Sequence, residues 1–142
     1  MFKHILLATD GSKLSDKAVQ AGIKFAKAIN AKVTGIHVMP PFKGVDVESI
    51  FPEKKHQEQM IASSEKYLEV IERAAKAAGV KCAAYYVTDS KPYKAIVSAA
   101  EDSGCDAIFI GSHGRGGVAG LLLGSVTVKV LAHTKIPVMV YR

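Results

Sequence analysis

Gly111, Ser112, His113 and Gly114 stand together in the last third of the 142-residue chain, and after nine intervening residues come Gly124 and Ser125. The apolar run Ala107-Ile108-Phe109-Ile110 precedes this group, and a helix-like segment, Val126–Ala132, follows it. A buried strand, a glycine loop and a hydroxyl at a helix start can cradle a phosphate. Backbone N–H groups approach an anion closely where side chains are missing, and the first N–H groups of a helix have no partner inside it. Charge points the same way. No Asp or Glu follows Asp106, whereas Arg115, Lys129, Lys135 and Arg142 do.

The elements that must hold this group follow from periodicity. A first strand is expected over Lys3–Thr9, with Ile5, Leu6, Leu7 and Ala8 nearly all apolar. Asp10-Gly11-Ser12 then punctuates the chain, and Ser12 or Ser15 can cap a helix whose inner face is Leu14, Ala18, Ala21, Gly22, Phe25 and Ile29. Asn30 suits a left-handed stop. A second strand, Lys32–Met39, ends at Pro40-Pro41, and residues 40–53 read as a loop or short lid. A long helix, Lys54–Ala78, buries Met60, Ser64, Tyr67, Leu68, Ile71, Ala75 and Ala78 and closes at Gly79. Lys81–Val87 is a third strand. Pro92 sits in the first turn of a third helix, with Tyr93, Ile96, Val97 and Ala100 inward and Gly104 at its end. Asp106–Ile110, a helix from near Ser125 and a strand Ile136–Tyr141 complete the series.

Strands so uniformly apolar are buried on both faces, which implies a parallel sheet covered by helices on either side. The expected architecture is α/β, a doubly wound five-stranded parallel sheet, with strand order 3-2-1-4-5 as the leading candidate. In that order Asp10 and Gly111 meet where the winding reverses. There is no internal repeat or linker, so residues 1–142 are expected to form one domain.

Composition narrows the class. Hydrophobic residues at 49% and charged residues at 23% suit a globular protein, and no apolar run approaches the ~20 residues of a membrane span. The start, Met1-Phe2-Lys3-His4, lacks a leader pattern. Cys82 and Cys105 are far apart without paired spacing, as expected of free thiols in a cytoplasmic protein. His4, His37, His56, His113 and His133 are isolated from one another, which argues against structural zinc. The net charge of +6 is spread along the chain without a basic–aromatic block, so nucleic acid is not the expected partner.

Other nucleotide motifs are absent or misplaced. GxxxxGK[ST] and GxSxG do not occur. The run Gly114-Arg115-Gly116-Gly117-Val118-Ala119 has dinucleotide-fingerprint spacing. It follows the fourth strand instead of the first, and no acidic ribose ligand comes after it. What remains is Gly-x2-Gly-x9-Gly-Ser between a strand and a helix. With Ala8-Thr9-Asp10-Gly11-Ser12 and the closing Ile136-Pro137-Val138-Met139-Val140, it resembles the universal stress protein family over essentially the whole chain, and within it the ATP-binding subclass.

That resemblance implies roles by position. Asp10 would contact the adenosine portion, and Val38 would present its backbone to the adenine edge. Gly111 and Gly114 would let the chain pass close to ribose and phosphates. Gly124, Ser125 and Val126 would meet the phosphates, with Mg accompanying ATP and no metal ligand assigned to the protein. Each residue also has a plainer reading. Asp10 could cap the first helix, Gly111 and Gly114 could serve a turn with positive φ, and Ser125 reads as an N-cap compatible with phosphate contact. His113 is either a phosphate ligand or base, or a bystander; Arg115 either closes over the phosphates or points to solvent. Residues 116–120 read as a flap or as a mere linker.

Phosphoryl transfer needs a metal, a positioned water and a charge-stabilising cation. Only Asp10 and Asp89 are expected near the carboxyl edge of the central strands. The expected function is therefore a nucleotide-dependent regulator or sensor in stress response with little or no hydrolysis. A nucleotide-independent interaction protein and a slow ATPase are the alternatives. The last strand would leave an apolar sheet edge at Val138, Met139 and Val140, which a homodimer would cover.

Overall fold

Ile5, Leu6 and Leu7 are at most 1% exposed, although consecutive side chains on a strand point to opposite faces. Both faces of this strand are therefore covered. A computed structural model describes residues 1–42, 53–114, 120 and 122–142 of the chain. Its elements run β1 (His4–Ala8), α1 (Lys13–Ala28), β2 (Lys32–Met39), α2 (Glu53–Ala78), β3 (Cys82–Thr88), α3 (Pro92–Asp102), β4 (Ala107–Gly111), α4 (Ser125–His133) and β5 (Val138–Tyr141). The strands form one parallel sheet in the order β3-β2-β1-β4-β5. The doubly wound α/β architecture and its strand order are as the sequence predicts.

Two apolar layers flank the sheet. Ile5, Leu7, Val33 and Phe109 pack with Val19 and Ile23 of α1 and Ile71 and Ala75 of α2. On the other face Leu6, Ile36, Ile108 and Ile110 pack with Ile96 and Ala100 of α3 and Val130 of α4. The inner face of α1 is Ser15, Ala18, Val19, Gly22, Ile23 and Ala26, while Ala21, Phe25 and Ile29 flank it. This differs from the expected face because α1 lies close to the sheet. A Cβ on Gly22 would run into the Leu7 side chain, so small residues take the line of closest approach and the bulky ones fill its margins.

The expectation of uniformly buried strands holds for β4 and nearly so for β1, but not for β3. That strand alternates half-buried and exposed positions along most of its length, because it is an outer strand with α2 as its principal cover. Chain reversals use the predicted residues: Asn30 has φ +57°, Gly79 +71° and Gly104 +70°. At the amino edge of the sheet, burial works against ionisation of Asp106. The backbone N–H groups of Lys3 and His4 nevertheless donate to its carboxylate and hold its pKa below the usual value. Burial pushes the Cys82 and Cys105 thiols up to about 11, so both stay protonated and unreactive at neutral pH.

Ile71 is fully buried and rests on Gly35 of β2, where an added Cβ would lie 2.8 Å from Ile71 Cδ1. Ile71→Ala is expected to destabilise the protein by about 2–5 kcal/mol, through lost transfer energy and the cavity left behind. Urea unfolding checks this: the midpoint should fall while the slope is unchanged.

Candidate functional site

β1 and β4 lie side by side at the centre of the sheet, but the chain leaves them in opposite directions. The end of β1 leads into α1 on one face, and the end of β4 leads towards α4 on the other. A crevice opens between them. It is a cavity of about 380 Å³, within the size range of small-molecule sites.

Strand order fixes what lies along it. At the β2 side, Ile36 and Val38 face Pro92 and Ile96 of α3, giving an apolar end. Asp10 and Ser15 stand in the middle, beyond the end of β1. At the β4 side the walls are Gly111, His113, Gly114 and the first residues of α4, Ser125, Val126 and Thr127, preceded by Gly124. The cavity thus joins an apolar slot to a glycine-lined polar end, with a carboxylate between them.

The polar end is built from backbone. The Gly124 N–H donates to the Ser112 carbonyl at 2.6 Å, and the Ser112 N–H donates to Tyr141 of β5 at 2.7 Å. The Thr127 hydroxyl donates to the Gly111 carbonyl at 2.8 Å. A Cβ on Gly114 would collide with the Asp10 carboxylate, and one on Gly124 would come within 3.2 Å of His113 Cα and the Ser112 carbonyl. Around Gly111 the nearest atoms would be 3.5 Å or more away, an ordinary van der Waals contact with the His113 carbonyl, Ala18 and Leu14. None of these three glycines has a positive φ. Close approach, not a left-handed turn, is what Gly114 and Gly124 provide.

Two capping expectations change. Ser12 is the N-cap of α1, accepting from the Ser15 N–H at 3.2 Å. Asp10 does not cap the helix; its Oδ1 accepts from the Ser12 N–H at 2.9 Å and closes the turn just before it. For α4 the N-cap is Gly124, which is extended and makes no side-chain cap bond, while its carbonyl accepts from Val128 at 3.0 Å. Ser125 is therefore the first helical residue, not the cap. With glycine as cap, no side chain competes for the first-turn N–H groups, which have no partner within the helix.

Every described candidate residue, Asp10, Val38, Gly111, Gly114, Gly124, Ser125 and Val126, lines this one cavity, and so does His113. The His113 Nδ1 lies 3.1 Å from the Ser112 hydroxyl. Asp89 does not line the cavity; its carboxylate accepts from the Lys91 N–H at 2.9 Å. Arg115, most of the 116–120 flap and most of the 40–53 loop lie outside the described residues. Pro92, Ile96 and Thr127 were not singled out as site residues, since apolar helix positions and a lone threonine carry no chemical signature. Among the described residues no three His, Cys, Asp or Glu side chains gather to hold a metal ion, and no helix is long and apolar enough to cross a membrane.

The universal stress protein family matches the chain over residues 1–142. A universal stress protein of Thermus aquaticus is 32% identical over the full length of both chains. The universal stress protein MJ0531 of Methanocaldococcus jannaschii is 31% identical, covering all of this chain and 83% of that one. Among solved structures, that of MJ0577 from the same archaeon has a TM-score of 0.80 at 31% identity, covering 99% of this chain and 95% of the other. A universal stress protein solved in complex with cAMP has a TM-score of 0.74 at 27% identity, covering 99% and 97% of the two chains.

Burial raises the pKa of Asp16, in the first turn of α1, and the nearby Asp10 carboxylate raises it further. Asp10→Asn removes the second contribution and leaves the first. The Asp16 carboxyl is therefore expected to titrate at lower pH in the variant while staying above the ordinary aspartate value, as followed by carboxyl-carbon NMR.

Proposed function

The chain belongs to the universal stress protein family, and on that premise we propose that it is an ATP-binding regulator. The nucleotide occupies the cavity between the ends of β1 and β4, within a single domain spanning residues 1–142. The observation that carries this reading is the order of groups along the cavity: apolar slot, carboxylate, glycines, helix start. Adenine suits the slot beside Val38, Asp10 meets the adenosine portion, and Gly111 and Gly114 admit the ribose and phosphates. Gly124, Ser125 and Val126 receive the phosphates, with Arg115 as a neighbouring cation. A helix N-terminus favours an anion by about 1 kcal/mol at low ionic strength. The relative solved with cAMP supports an adenine nucleotide as the class of ligand.

ATP enters as its Mg complex, the metal being held by the phosphates. Efficient hydrolysis is not part of the proposal. Of the described residues that line the cavity, Asp10 is the one carboxylate, and one of its oxygens already accepts from Ser12. A cytoplasmic role follows in which bound nucleotide is read by a protein partner during stress. The outer strand β5 pairs with its copy in a homodimer through Val138, Met139 and Val140, giving a paired edge in place of an open one.

Calorimetric titration with Mg-ATP, ADP, AMP and cAMP tests the site. Saturable binding is expected for ATP, and Gly124→Asp, which puts bulk and charge at the helix start, should weaken it at least about tenfold, or 1.4 kcal/mol. Circular dichroism of that variant should match the parent. Parent protein that takes up no adenine nucleotide would favour the nucleotide-independent interaction protein. Multiple turnover abolished by Asp10→Ala would make it a slow ATPase. Sedimentation at micromolar concentration should give a dimer, and a monomer there would sink the β5 pairing.

A further inference from the structure

Thr9 stands where the β1–β2 ladder ends. Its N–H donates to the Ile36 carbonyl at 2.9 Å, and its own carbonyl accepts from His37 Nδ1 at 2.9 Å. A carbonyl has no proton to give, so this contact puts the imidazole proton on Nδ1. His37 is buried, and strand alternation turns it to the face of β2 opposite Ile36 and Val38, which line the cavity. There its ring meets Tyr67 of α2 edge-on, with centroids 5.1 Å apart. The Tyr67 ring in turn fills the space that a Cβ on Gly11 would need, and Gly11 holds φ +80°.

The turn that carries Asp10 is therefore gripped from behind the sheet. Further bonds among the described residues run within the turn and to the start of α1. Gly11 N–H donates to Thr9 Oγ1 at 3.2 Å, Asp10 N–H to Ser15 Oγ at 3.1 Å, and Ser15 Oγ to Thr9 Oγ1 at 2.9 Å. These bonds shape the turn and tie it to the start of α1, while the Asp10 carboxylate lies against Gly114. Beyond Thr9 N–H, where the ladder stops, His37 and Tyr67 anchor it, among the described residues, to β2 and α2.

We propose that His37 and Tyr67 are positioning residues of the cavity: from the far face of the sheet they hold the turn that aims Asp10 at the ligand. The placement of α2 and the affinity of the site are thereby coupled. The inference rests on the nucleotide reading only in taking Asp10 as a ligand contact.

The test compares His37→Leu, which removes the donor, with His37→Asn, whose amide nitrogen can stand near Nδ1. Tyr67→Leu, which removes the ring behind Gly11, makes the same comparison should His37→Leu fail to fold. Two readouts are taken: ATP affinity by calorimetry, and amide exchange at Gly11 and Ser12. His37→Leu and Tyr67→Leu should each weaken ATP about three- to tenfold, the range for one hydrogen bond or contact. They should also speed exchange at Gly11 and Ser12 but not at Ile108. His37→Asn should recover most of both. In an Asp10→Ala background His37→Leu should cost no further affinity.

Equal weakening with and without Asp10, or unchanged affinity in both leucine variants of a protein that binds ATP, overturns the proposal. Parent protein that binds no adenine nucleotide rejects the nucleotide reading instead. Exchange then decides the positioning role by itself: unchanged protection of Gly11 and Ser12 in the leucine variants overturns it, and lost protection upholds it.

Discussion

Parallel strands can be joined only by crossovers, and in this sheet the crossovers diverge at the β1–β4 pair. That pairing, Ile5 with Ala107 through Leu7 with Phe109, is the constraint on which the remaining structure depends. It sends α1 and α2 to one face and α3 and α4 to the other, so each strand needs apolar residues on the faces its helices cover. It also leaves the carboxyl ends of two central strands without a helix between them. Asp10 and Gly111 come from opposite ends of the sequence and meet for that reason alone.

The two helices that start at the crevice are finished differently, and the difference suits their places. At α1, Ser12 satisfies the Ser15 N–H from within the protein, and the Thr9–Ser15 hydroxyls and amides close on one another. The first helix is thus self-contained at its start. At α4 the cap is a glycine without a side-chain bond, and the helix begins directly on the cavity wall. An anion approaching α4 meets backbone dipoles without displacing a capping hydroxyl. With Asp10 across the crevice, the cavity has a polarity that a ligand with one apolar and one anionic end can match.

Much of this was legible in the sequence, for local reasons. The bounds of β2, the left-handed Asn30, the glycine stops and Pro92 at the start of α3 are each set by one residue's own conformational preference. The glycine spacing located the cavity because close approach of backbone leaves no room for a side chain at Gly114, against Asp10, and little at Gly124, against Ser112. Other features are set by neighbours distant in sequence. The inner face of α1 depends on how near it lies to Leu7, and the alternation in β3 on its being an outer strand. Ser125 was misread as a cap because serine is a good capping residue, but Gly124 already holds the extended conformation a cap requires. His37 gave no signal: an isolated histidine in an apolar strand becomes informative only when Thr9, 28 residues away, offers it a carbonyl.

The bond between the Gly124 N–H and the Ser112 carbonyl has a consequence for how such a chain can vary. It pins the two ends of the segment 113–123 together, with Thr127 and Tyr141 holding the same junction from either side. Closing a loop whose ends are already fixed costs entropy only logarithmically in its length, and even doubling it adds about 0.6 kcal/mol. Changes of length between these ends are therefore cheap, while the junction and Gly114, which packs against Asp10, are not free to change. Natural variation can explore the length of chain between Ser112 and Gly124 without disturbing the cavity wall that they build.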